Sequence, residues 1–84
     1  MAESVSPSIK AAEIAFAITP SDTVDLAEIT RGLYVGVSGD VEVILDRMTA
    51  PVVFVGLAAG VVHPLRVRRV LAANTTATDL MGVA

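Results

Sequence analysis

Between Arg47 and Arg66 the chain runs 18 residues, Met48–Leu65, without a charge. That is long enough for a membrane-spanning helix, yet Pro51, Gly56, Gly60 and Pro64 cut it into pieces. The apolar pieces, Val52-Val53-Phe54-Val55 and Val61-Val62, are β-branched or aromatic. Such side chains lose rotamer freedom in a helix and pack well on a pleated surface. The stretch therefore reads as two short strands around a Gly56-Leu57-Ala58-Ala59-Gly60 turn, and not as a membrane helix.

The rest of the chain follows the same pattern. Ile14, Phe16 and Ile18 alternate within Glu13–Thr19, a first strand that Pro20 stops. Pro20-Ser21-Asp22-Thr23 is turn chemistry, and Asp25-Leu26-Ala27-Glu28 suits either a short helical turn or a loop crossing the sheet. Gly32–Val37, Ser38-Gly39-Asp40 and Val41–Leu45 predict a hairpin, with Leu33, Val35 and Val37 on one face and Val41, Val43 and Leu45 on another. Gly36 falls where a side chain would point outward, so a close neighbour is expected there. Asp46–Pro51 is a further turn. Leu65 and Val67 then alternate with Arg66 and Arg68 until the phase breaks at Arg69-Val70, which predicts a β-bulge. Ala73-Asn74 turns the chain into a closing strand within Thr75–Val83. No long helical period occurs. The expected fold is all-β, a small sandwich or partly open barrel of five or six short antiparallel strands. Residues 13–84 form the single domain, and residues 1–12 an N-terminal arm that is flexible or bound to a partner.

Alanine, valine, isoleucine, leucine, methionine, phenylalanine and glycine make up 50 of the 84 residues, against a usual apolar share of ~45–50%. A chain this short has little interior to hold them. Apolar burial at ~25 cal/mol/Å² and ordering at ~1.5 kcal/mol per residue nearly cancel, so a lone subunit is marginal. There is no cysteine, hence no disulfide or thiolate metal site to staple it. The excess predicts apolar surface buried against copies of the chain or another protein. Charge is divided unevenly: residues 1–46 hold eight acids and two bases, residues 47–84 one acid and four bases. Opposed halves suit acidic and basic faces meeting between subunits. The net charge of −3 argues against general nucleic-acid binding. The start, Met1–Pro7, lacks the cationic and apolar regions of a secretory signal.

Nothing assembles into a catalytic, metal or cofactor site. His63 has no carboxylate neighbour in sequence, and the serines lack a nucleophile-elbow context. Asp22, Asp25 and Glu28 are spaced three apart but lack the apolar flanks that would drive their pKa values apart, and they lack the glycine of a calcium loop. The arginines are more informative. Arg66, Arg68 and Arg69 share one strand, with Arg31 just before another, and a planar guanidinium favours bidentate carboxylate pairing at interfaces. Arg31, Arg66, Arg68 and Arg69 are the candidate interface cations, and Asp22, Asp25 and Glu28 of an adjacent subunit their candidate acceptors. A merely solvated or edge-protecting row of charges is the alternative.

Three ordered segments resemble a known family. Ile18-Thr19-Pro20-Ser21-Asp22-Thr23-Val24-Asp25-Leu26 comes first, then Thr30-Arg31-Gly32-Leu33-Tyr34-Val35-Gly36 with Gly39-Asp40. Pro64-Leu65-Arg66-Val67-Arg68-Arg69-Val70-Leu71-Ala72 with Thr75-Thr76-Ala77-Thr78-Asp79-Leu80 completes the set. Over Ile14–Val83 the chain is similar to the head spike base proteins of tailed bacteriophages and of the alphaproteobacterial gene transfer agents. It departs from them at Ala73-Asn74, where Thr-Gly is usual and where Asn tolerates a left-handed turn. It departs again at Asp46–Pro51, which replaces a glycine-tipped hairpin. The resemblance implies a non-enzymatic virion protein on the capsid exterior, carrying a head spike fibre and made in the bacterial host cytoplasm. Its implied partners are copies of itself in a ring, the major capsid protein and the fibre, with no nucleic acid, membrane or cofactor. A capsid decoration or cement protein is the related alternative. A small soluble β-barrel module binding a ligand or peptide is the alternative of another class.

Overall fold

A computed structural model describes residues 11–84, so most of the expected N-terminal arm lies outside the described residues. Among these, seven strands and no helix occur: β1 (Ala15–Ala17), β2 (Gly32–Val37), β3 (Gly39–Leu45), β4 (Val52–Leu57), β5 (Val61–His63), β6 (Val67–Leu71) and β7 (Thr78–Val83). They form a four-stranded sheet in the order β1-β7-β2-β5 and a three-stranded sheet in the order β4-β3-β6, with every pairing antiparallel. This is the all-β fold expected, as two sheets and not a closed barrel. The strand count exceeds expectation because Pro64 divides residues 61–72 into β5 and β6. No helix among the described residues is long and apolar enough to cross a membrane.

The hairpin expected at Gly32–Leu45 does not form. β2 belongs to one sheet and β3 to the other, with only Ser38 between them. β4 and β5 do not pair with each other either. Instead β2–β3 and β4–β5 are two long runs paired side by side. The numbers of paired residues add to 96 on both sides of the bend, for Leu33↔His63 and Val35↔Val61 in one sheet and for Gly39↔Leu57 in the other. One hairpin, tipped by Asp46–Pro51, thus folds across its middle and gives half of itself to each sheet. Gly56 and Gly60, with φ of 69° and 75°, turn the outer run, a conformation that side-chain-bearing residues rarely adopt.

The core lies between the sheets. Leu33 and Val35 of β2 meet Val41 and Val43 of β3 and Val67 and Val70 of β6, with Ile18, Ala77 and Leu80 closing the cluster. Val37, expected on the buried face, is half exposed because the chain leaves the sheet at the next residue. Gly36 has the close neighbour its sequence position implied: a Cβ there would lie 2.5 Å from the Cβ of Asp79 and 2.8 Å from its carbonyl oxygen. The Ala73-Asn74 turn is present, but Asn74 is not left-handed; the single non-glycine residue with positive φ among those described is Asp79. Asn74 instead donates from Nδ2 to Glu42 Oε1 at 3.2 Å.

Candidate functional site

Val67 and Val70 both face the core, although an odd separation places residues on opposite faces of a regular strand. A bulge reconciles them. Partner numbers on β3 and β6 shift by one between Ile44↔Arg69 and Leu45↔Val67, leaving Arg68 as the extra residue. The expected bulge is therefore one position earlier than the phase break suggested. It turns two consecutive arginines, Arg68 and Arg69, away from the core together.

What they meet is the segment between β1 and β2, the loop reading of Asp25–Glu28. This loop runs along the free edge of β6, where the N–H groups of Ser21, Leu26 and Thr30 donate to the carbonyls of Val70, Arg68 and Val67. It covers an edge that would otherwise offer unpaired backbone groups. Asp25 sits opposite the bulge: Arg69 Nε donates to its Oδ1 at 2.7 Å, and Arg68 Nη1 to its Oδ2 at 3.4 Å. Arg68 Nη2 also donates to the Met48 carbonyl, and Arg69 Nη1 to that of Asp22. The Asp22 carboxylate accepts from the N–H groups of Ala72 and Ala73, at 2.9 and 3.2 Å. Thr30 pins the other end of the loop from full burial, donating to the Leu65 carbonyl and accepting from the Val67 N–H.

The remaining candidates point elsewhere. Arg66 lies 3.4 Å from Asp46 with its side chain 61% exposed. Arg31 Nη1 donates to the Ala11 carbonyl at 2.7 Å. Glu28 is exposed and takes no hydrogen bond or ion pair among the described residues. Within one chain the structure thus joins Arg68, Arg69, Asp22 and Asp25, and leaves Arg31, Arg66 and Glu28 apart from them. The sequence reading missed Asp46 and Thr30. Asp46 was hidden by its place in a turn, while the polar Thr30 just before an apolar strand was the available signal for a buried tether. Among the described residues no group of three or more side chains is placed to hold a metal ion. His63 Nε2 donates to the Ala58 carbonyl at 3.0 Å, which ties it to the bend.

The hydrogen bond from Arg69, reinforced by the charges of Arg69 and Arg68, holds the Asp25 carboxyl below its ordinary 3.8 against a smaller opposing effect of burial. A lowered folded pKa means that the native state binds fewer protons than the unfolded chain. The contribution is then complete above about pH 4 and is lost as the pH falls through the lowered value. Asp25→Asn is accordingly expected to melt below the wild type at pH 7, with the gap narrowing toward pH 2. Parallel melting curves across that range would exclude this role for Asp25.

No family model matches the chain, and no curated protein matches it. Among solved structures, a chain of the gene transfer agent (GTA) particle described as "Capsid of native GTA particle computed with C5 symmetry" is 36% identical to it. The two superpose with a TM-score of 0.80, over 96% of this chain and 92% of that one. The likeness therefore takes in both sheets, the bent hairpin and the loop over β6, at an identity well above that of fold resemblance alone. The chain belongs to the same family as that chain of the gene transfer agent capsid.

Proposed function

We propose that the protein is a structural component of a phage or gene-transfer-agent head, seated outside the capsid as the base that attaches a spike or fibre. The observation that carries this reading is the 36% identity, over 96% of the chain, to a chain of a gene transfer agent capsid. The half-exposed valines and the uneven charge support a role in contact with other proteins, without catalysis. The partners are further copies of the chain, the major capsid protein and the fibre. In a ring each copy meets the next through two different surfaces, which suits the uneven division of charge. Arg31, Arg66 and Glu28 are the charges best placed for such contacts. Arg68, Arg69, Asp22 and Asp25 contribute through the loop that they hold along β6. Exposed ion pairs are worth only ~0–1 kcal/mol each, so they select register while apolar contact supplies most of the binding.

Deleting the gene and imaging the particles tests this reading. Heads are expected to assemble with their DNA but without external projections, and to regain them when the chain is supplied in trans. Intact projections on particles that lack the chain would overturn the spike-base role. Loss of the heads themselves would favour a lattice-stabilising decoration protein.

A further inference from the structure

Sheet edges are treated unequally in this molecule. The edge of β6 is covered by the loop from Ser21 to Thr30, whereas β1 and β5, the two outer strands of the four-stranded sheet, have no strand beyond them among the described residues. Edges left open are usually guarded by charge or proline within the strand. Neither β1 (Ala15-Phe16-Ala17) nor β5 (Val61-Val62-His63) contains a charged residue or a proline. The outward face of the sheet is also uncharged along its central row, where Val62, Tyr34, Met81 and Ala17 are successive cross-strand partners from β5 to β1. Outward faces of antiparallel sheets are normally polar. Here Val62 is 49% exposed and Met81 37%.

We propose that β5 of one copy pairs with β1 of the next, so that the four-stranded sheet continues from subunit to subunit around the ring; this rests on the ring reading above. Strand direction allows it. Four strands, each antiparallel to its neighbour, leave β1 and β5 running in opposite senses. A copy rotated about an axis along the strands brings its β1 antiparallel to β5 of the first copy, and repetition of that rotation closes a ring. The pleat restricts the register, because a slip of one residue would turn the apolar row inward. With Val62 opposite Ala17 of the neighbour the row is continuous. Glu13 stands two residues before β1, and Arg66 three residues after β5. Antiparallel pairing puts the start of β1 and the end of β5 at the same end of the joint, so an acid and a largely exposed arginine flank that end. Arg31, the other cation near β1, is held on the Ala11 carbonyl.

The chain has no cysteine, so a disulfide introduced at the joint reports directly. In the Ala17→Cys/Val62→Cys variant the two thiols of one subunit lie three strand spacings apart, about 14 Å, beyond the ~7 Å Cα limit for a disulfide. Oxidation is expected to give a ladder of covalent oligomers ending at the ring, in solution and in purified particles. Val62→Lys is expected to abolish the ring in light scattering while leaving the circular dichroism spectrum unchanged. Rings that persist in Val62→Lys, or a folded double-cysteine variant that enters particles at wild-type level and stays monomeric on oxidation, would overturn the pairing and leave the virion reading standing. A wild-type chain that rings and cross-links as described yet is absent from particles would overturn the virion reading and leave the pairing intact.

Discussion

Leu33→Ala is expected to lower the free energy of unfolding by about 3–5 kcal/mol, the range for truncating a fully enclosed leucine. Leu33 is wholly buried in β2, between β7 and β5 and facing the other sheet. Its surroundings cannot collapse readily into the space. Gly82, directly across on β7, leaves no room for backbone approach, since even a Cβ there would lie 2.6 Å from the Phe16 ring and 2.8 Å from the Thr30 methyl. In a domain of this size ~1 kcal/mol moves the melting temperature by ~4–8 °C, so the variant should melt more than ten degrees below the wild type. Assembly adds concentration-dependent stability, so both proteins must be compared at one concentration and in the same oligomeric state. A shift under about 3 °C would mean that the space is filled by repacking.

Thr30→Val is expected to cost about 2–4 kcal/mol despite near-identical shape, because one buried and one partly buried backbone group lose their partner at once. The hydroxyl of Thr30 donates to the Leu65 carbonyl at 2.8 Å and accepts from the Val67 N–H at 2.9 Å. Thr30→Ser keeps both bonds and is expected to cost much less, which separates the hydrogen bonds from the packing of the methyl. The loss should be local as well as global. Hydrogen exchange at Ser21, Leu26 and Thr30, whose N–H groups bond β6, should quicken more in Thr30→Val than exchange within β2 and β7. Equal stability of Val and Ser variants would remove the tether as the explanation.

Leu33 and Thr30 were legible in the sequence to different degrees. Leu33 stands in clean period-2 alternation with Val35, and a valine-rich run flanked by glycine has few options beyond a half-buried strand. The strands, the turns at Pro20 and Asp46–Pro51, the close approach at Gly36 and the bulge in β6 were readable on the same grounds, since each depends on a few adjacent residues. Thr30 was not readable as a tether, because its partners are 35 and 37 residues away.

The same distinction explains the misread hairpin. Alternation is identical whether Ser38-Gly39 reverses the chain into a hairpin or only bends it from one sheet into another, because period 2 records which face is apolar and not which strand lies alongside. Among the charges, sequence placed Arg68 and Arg69 on one strand but could not say that a bulge would turn both toward Asp25 of the same chain. By itself, then, the sequence determined that the fold is all-β, roughly where most strands and turns fall and most of the buried alternation, and, through three ordered segments, the likeness to a capsid-associated protein. Tertiary structure alone decided which runs pair across the bend, which arginines are spent within the subunit, and which edges stay open among the described residues. Those outcomes follow from contacts between residues far apart in the chain, whose energies no local pattern encodes.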